Sequence, residues 1–238
     1  IVLEDASTTL NVIQGNHLGV NAAGDAIIPS HVGISMASGT NSNLVGGAEP
    51  GLGNVIGGHD AFGILLSGAG TQTNFIEGNR IGVGSDATGL PILPNLNGVR
   101  IQNAASGNVI GSAAYVTDLS ELAAKGNLIE NNGVGIRINE AEPGESECVN
   151  NSLRGNRIRE NTFDHIDLRP GIGPNANDPD DSDTGANGLQ NYPVITSAKR
   201  VSGSLRVEGT LHSVAFAPYR IDLYRNAAAD GPALAHGG

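Results

Sequence analysis

Residues 63–97, GILLSGAGTQTNFIEGNRIGVGSDATGLPILPNLN, decide the fold. They hold three short apolar-alternating runs, Ile64-Leu65-Leu66, Asn74-Phe75-Ile76 and Asn79-Arg80-Ile81, parted by Gly and Asn. A polar, proline-containing excursion follows, and Gly98-Val99-Arg100-Ile101 begins the pattern again. Three tiny strands, their corners and a restart describe one turn of a coil.

Outward from this stretch, the restart recurs at Gly33 (GISM), Gly63 (GILL), Gly98 (GVRI) and Gly135 (GIRI), with a degenerate copy at His165 (HIDL). The intervals are 30, 35, 37 and 30 residues, one supersecondary unit each with a variable insertion. Alternate turns match better than adjacent ones. NVIQGNHLG (from Asn11), NFIEGNRIG (from Asn74) and NSLRGNRIR (from Asn151) form one class. NLVGG with GNVIGGHDAFG, and NVIGS with GNLIENNGVG, form the other. The first two members of the doublet class lead into matching excursions, VNAAGDAIIPSHV and VGSDATGLPILPNLN. The full period is thus two turns.

Period-two alternation places Val99 and Ile101 on one face of a strand and Arg100 on the other. Runs of three or four residues gain stability when the next turn lays its copy roughly 4.8 Å above in a parallel ladder. Asn suits the corners because it tolerates left-handed backbone and its amide reaches the turn below. Glycine every few residues argues against helix. The exception is Tyr115–Lys125 (YVTDLSELAAK), where Asp118 or Ser120 is positioned to cap a short helix.

The expected organisation is all-β: a parallel β-helix of about five turns over 1–176, an acidic junction loop over 177–191, and a partial antiparallel β domain over 192–238. In the last part PVITSAKR, SLRVEGTLH and YRIDLYRN read as strands of a small capping sheet or the start of a sandwich. The chain opens Ile1-Val2-Leu3, as though within a strand, from which a fragment of a longer parent is expected.

Composition agrees. There are 35 glycines, no Trp and 3% aromatics, which suits thin aliphatic strands and tight corners better than an aromatic-filled core. The formal charge of -11 disfavours nucleic acid, and an acidic polysaccharide would need cations to offset it. Cys148 is alone, so no internal disulfide forms, and a buried thiol is the plain reading. No apolar run reaches the length of a membrane span.

GNRIGVGSDATG, GVRIQNAASGNVIGS and NDPDDSDTGANGLQNYPVI resemble bacterial secreted right-handed parallel β-helix repeat proteins with NosD-like repeats, of the CSLREA-domain type. The resemblance covers roughly Asn11 to Ile195. It implies a right-handed coil, export to the cell surface or beyond, and a place in a longer multidomain protein. It implies no particular reaction. HIDLRP departs from a Gly-rich corner usual in that family.

Three constellations could carry chemistry. Asp178, Asp180, Asp181 and Asp183 supply hard oxygen ligands in a loop that suits structural Ca²⁺, although no closing Glu or preceding helix completes an EF-hand. Asp164, His165 and Asp167, with Arg137 and Arg100 on the same wall, are the candidates for acid–base cleavage of a polysaccharide. The plain alternative is an ion-paired last turn, since Asp167 falls in the outward column Ser35, Leu65, Arg100, Arg137, Asp167. Beside the doublets, Gln14 and His17, Glu77 and Arg80, Arg154 and Arg157 recur on one wall, where a glycan chain could lie. The expected role is a secreted structural or adhesive module binding carbohydrate along that wall. The alternative is a polysaccharide lyase or glycoside hydrolase on the same coil.

Overall fold

The computed structural model describes residues 1–84, 91–139, 146–171 and 173–224. It is a parallel β-solenoid of about five turns, followed by a two-stranded antiparallel sheet. The first wall stacks six strands in chain order: Val2–Leu3, Ser30–Ala37, His59–Ser67, Asn97–Gln102, Val134–Ile138 and Ile166–Leu168. A second wall stacks Val12–Ile13, Leu44–Gly46, Phe75–Glu77 and Val109–Ile110. A third stacks His17–Leu18, Val55–Ile56, Arg80–Ile81, Leu128–Glu130 and Arg157–Arg159.

The register is the one the restarts predict. Ile34, Ile64, Val99 and Ile136 sit over one another and are fully buried. Met36, Leu66, Ile101 and Ile138 form a parallel column. From the other walls come Ile13, Val45, Ile76 and Ile110, then Ile56, Ile81 and Ile129, closing one continuous aliphatic core that also holds Cys148. Each such side chain contributes about 1.5–3 kcal/mol of burial. Ile166 continues the column but lies on the edge strand and stays half exposed.

Asparagine ladders fasten the corners. In the first, the backbone N–H of Asn11, Asn43, Asn74 and Asn108 each donates to Oδ1 of the ladder residue one turn on, ending at Asn151. The second runs Asn16, Asn54, Asn79, Asn127, Asn156 in the same way. The third runs His59, Asn95, Asn132, Asn161. Along each, the Nδ2 groups also reach back to carbonyls of the preceding turn, as Asn79 does to Val45 O at 2.9 Å. At many rungs the left-handed backbone falls on the residue before the ladder Asn: Leu10, Ser42, Thr73, Asn131, Asn150 and Glu160 all have positive φ, and two of these are themselves the expected corner asparagines.

The two-turn period has a simple origin. Turns with the tight doublet place their excursion between the third and first walls, where the bridges Val20 to Ile27 and Val83 to Ile92 tie its base. The other turns place theirs between the second and third walls. One of these contains the helix Leu119–Lys125, capped by Asp118, whose carboxylate accepts from the N–H of Ser120 and Glu121.

The far end is closed by part of the acidic junction. Ala186 is fully buried, and Asn187 Oδ1 accepts from Asn151 N at 2.8 Å, extending the first ladder by one rung. Beyond it, Val194–Val201 and Ser204–Thr210 form an antiparallel hairpin around Ser202 and Gly203, both at positive φ. The third strand expected at YRIDLYRN does not form in its described residues, Tyr219 to Tyr224. Its alternation is used differently: Arg220, Asp222 and Tyr224 bind the solenoid, to Val116 O, Arg154 and Gly155 N respectively. Among the described residues no helix is long and apolar enough to cross a membrane.

Candidate functional site

The outward column Ser35, Leu65, Arg100, Arg137, Asp167 stacks as its spacing predicts. The anticipated ion pair is present: Arg137 Nε lies 2.7 Å from Asp167 Oδ2, and Arg169 Nε approaches the same oxygen at 3.7 Å. Asp167 is 2% exposed, and its Oδ1 is buried without a hydrogen-bond partner. Arg100 is arranged differently. Its Nε donates to Gln102 Oε1 at 2.7 Å and its guanidinium lies 5.3 Å from the centre of the Phe62 ring. Burial, then the charges of Arg137 and Arg169, hold its pKa below the usual arginine value, against the weaker pull of Asp167.

Beside this column Phe62, Leu96, Asn97, Arg100, Arg137 and Phe163 line a groove of about 210 Å³, completed by Ala61 and Val134. Asn97 is 2% exposed, and its Oδ1 makes no hydrogen bond. Leu96 and Phe163 are well exposed at the rim. Phe62, Asn97, Phe163 and Arg169 are not evident as site residues from spacing alone. A usable signal was present for two of them: Phe62 and Asn97 each immediately precede a restart glycine and pair across one turn.

Asp164 and His165 precede the last strand of this wall. Asp164 is 8% exposed and its carbonyl accepts from Gly135 N, while His165 O accepts from Ile136 N. A hydrolase needs two carboxyl groups open to one glycosidic bond, whereas Asp167 is enclosed by arginines.

The doublet positions are largely engaged within the chain. Glu77 is buried under the helical insertion, with Lys125 Nζ 3.6 Å away. Burial pushes its carboxyl pKa up, partly offset by Lys125. Arg154 forks onto Asp222 at 2.6 and 2.8 Å and donates to the carbonyls of Ala113, Ala114 and Val116. Arg80 Nε donates to Gly84 O, and the more exposed Arg157 pairs with Glu130 at 3.2 Å. Gln14 Nε2 donates to Gly46 O, and the His17 ring meets Asn21 O.

In the junction loop Asp178, Asp181 and Asp183 each bring a carboxylate oxygen within 4.8 Å of the others; Asp180 stands outside that set. Asp178 Oδ2 accepts from Ser182 N, Ser182 Oγ and Asp183 N, which holds its pKa down. Asp181 accepts from Asn191 N and Ser213 Oγ. Oδ1 of Asp178 and of Asp183 are both buried and unpartnered. Desolvation, then Asp178 and Asp181, push the Asp183 carboxyl pKa up. An all-oxygen donor set with two spare carboxylate oxygens fits a hard divalent cation.

No family model, curated protein or solved structure matches the chain. Its functional reading therefore rests on its own geometry.

Proposed function

We propose that this β-solenoid is an exported adhesive module that holds carbohydrate on the outward face of its first wall. The observation carrying this reading is the Asn97 amide, buried and unsatisfied at Oδ1, in a groove flanked by the aromatic rings of Phe62 and Phe163. A sugar offers the matching partners: hydroxyls for the orphan oxygen and apolar ring faces for the phenyl groups. The groove is smaller than the ~300–1,000 Å³ clefts that enclose whole small ligands. It therefore suits one part of a long chain lying across the wall. The placement differs from the doublet strip suggested by spacing, because Glu77 and Arg154 are occupied there. Export from a bacterial cell and membership of a longer surface protein, as the NosD-like repeats imply, are part of the same proposal.

The test is retention on a panel of immobilised neutral and acidic polysaccharides, with and without calcium. Retention lost in Phe62→Ala and Asn97→Ala, at unchanged melting temperature, supports the reading. Absence of retention on every member of the panel overturns it.

A second reading is lyase chemistry at the same wall, where Arg100 and Arg137 stand one turn apart in a single outward column. Unsaturated sugar products during the same incubation would establish that activity.

In the junction we propose a structural Ca²⁺ held by Asp178, Asp181 and Asp183, supported by the two unpartnered oxygens.

A further inference from the structure

We infer that the groove beside Arg100 takes a carboxylated sugar, a uronate residue of an acidic polysaccharide, with its carboxylate between Arg100 and Arg137. The inference rests on the carbohydrate reading above and narrows its ligand class. The wall already shows how it holds a carboxylate: Arg137 and Arg169 converge on Asp167 Oδ2. One turn earlier, Arg100 stands next to Arg137 in the same column, and no described carboxylate lies within ion-pair distance of it. Arg137 and Arg169 thus share one buried carboxylate while Arg100 beside them pairs with no described carboxylate, leaving local positive charge on a chain whose overall formal charge is -11.

A like-charge cluster that is half desolvated is stabilised by an anion of fixed geometry, and a guanidinium fork matches a planar carboxylate. Phe62 holds the Arg100 guanidinium over its ring, so the cation is preorganised rather than swinging in solvent. Asn97 Oδ1 supplies an acceptor for a ring hydroxyl in the same groove. The overall negative charge repels a polyuronate at long range, but that repulsion is screened over about 8–10 Å at ordinary salt.

The experiment is calorimetric titration of the whole chain with a polyuronate oligosaccharide, its methyl ester, and a neutral oligosaccharide of the same linkage. The expected result is binding of the free acid about tenfold or more tighter than its ester, since a charge-assisted hydrogen bond is lost on esterification. Arg100→Gln should remove that preference by weakening the free acid far more than the ester, while Arg100→Lys should keep part of it. Equal affinity for acid and ester in the unaltered chain overturns this inference and leaves the carbohydrate reading standing. Failure to bind any of the three overturns both.

Discussion

Arg137 and Asp167, thirty residues apart in the chain, meet across one turn of the first wall with Nε 2.7 Å from Oδ2. The pair is shielded unequally, the arginine side chain being 19% and the aspartate 2% exposed. Removing the arginine strands a buried carboxylate with Arg169 at 3.7 Å. Removing the charge of the aspartate leaves an arginine that reaches water. Arg137→Ala should therefore cost about 3 kcal/mol, and Asp167→Asn clearly less. Urea denaturation of both variants checks the order.

The asparagine ladders predict a gradient of cost along the stack. Asn79 is 1% exposed and central in its ladder. Its Oδ1 accepts from Asn54 N at 3.1 Å and its Nδ2 donates to Val45 O at 2.9 Å. Asn79→Ala removes both bonds from buried groups, at about 1–3 kcal/mol for a buried group left without a partner. Asn11, at the exposed first rung, should lose under about 1 kcal/mol on the same change. Melting temperatures of the two variants measure the gradient; equal losses would mean that burial along the ladder does not set the cost of a lost rung.

The ladders also explain which parts of the fold are legible in the sequence. Ile64, Val99 and Ile136 announce their stacking because strand, corner glycine and ladder asparagine all lie within one short repeat. Asn187 belongs to the same ladder but sits in a polar loop without flanking alternation, so the cap it makes is hidden. Arg220, Asp222 and Tyr224 do alternate, yet alternation does not say whether the partner is a neighbouring strand or Arg154 on the solenoid. The groove is hidden for a third reason. Its shape depends on Leu96 and Phe163 leaning over the wall from its corners, a lateral relation that the period along the chain does not encode.

The junction loop yields a prediction about metal removal. Asp178, Asp181 and Asp183 crowd together, and the segment they belong to leads into the cap at Ala186 and Asn187. If Ca²⁺ bridges them, EDTA should lower the melting temperature and added Ca²⁺ should restore it. Stabilisation by a ligand at a hundredfold its Kd is about 2.7 kcal/mol. Asp183→Asn should abolish the response, and Asp180→Asn, outside the set, should preserve it. A melting temperature indifferent to EDTA removes the calcium proposal.

His59 gives the pH dependence its sign. Its ring is 2% exposed, Nδ1 lies 2.8 Å from Ser30 Oγ, and Nε2 is buried without a hydrogen-bond partner. Burial lowers its pKa below the ordinary histidine value of about 6.5, outweighing nearby backbone groups of Leu18 and Ser30 that favour the cation. The unfolded chain then binds this proton more readily than the folded one, so stability rises with pH across the interval. The contribution is whole above about pH 6.5 and is lost as the pH falls from there through the lower, folded-state value. His59 occupies the ladder position of Asn95 and Asn132, so His59→Asn keeps a residue suited to that corner and removes the titration. The variant should lose the part of the acid sensitivity between pH 7 and pH 5 that is due to this ring, measured as the difference between the two melting curves. Parallel curves over that interval would mean that the buried imidazole is not the group responsible.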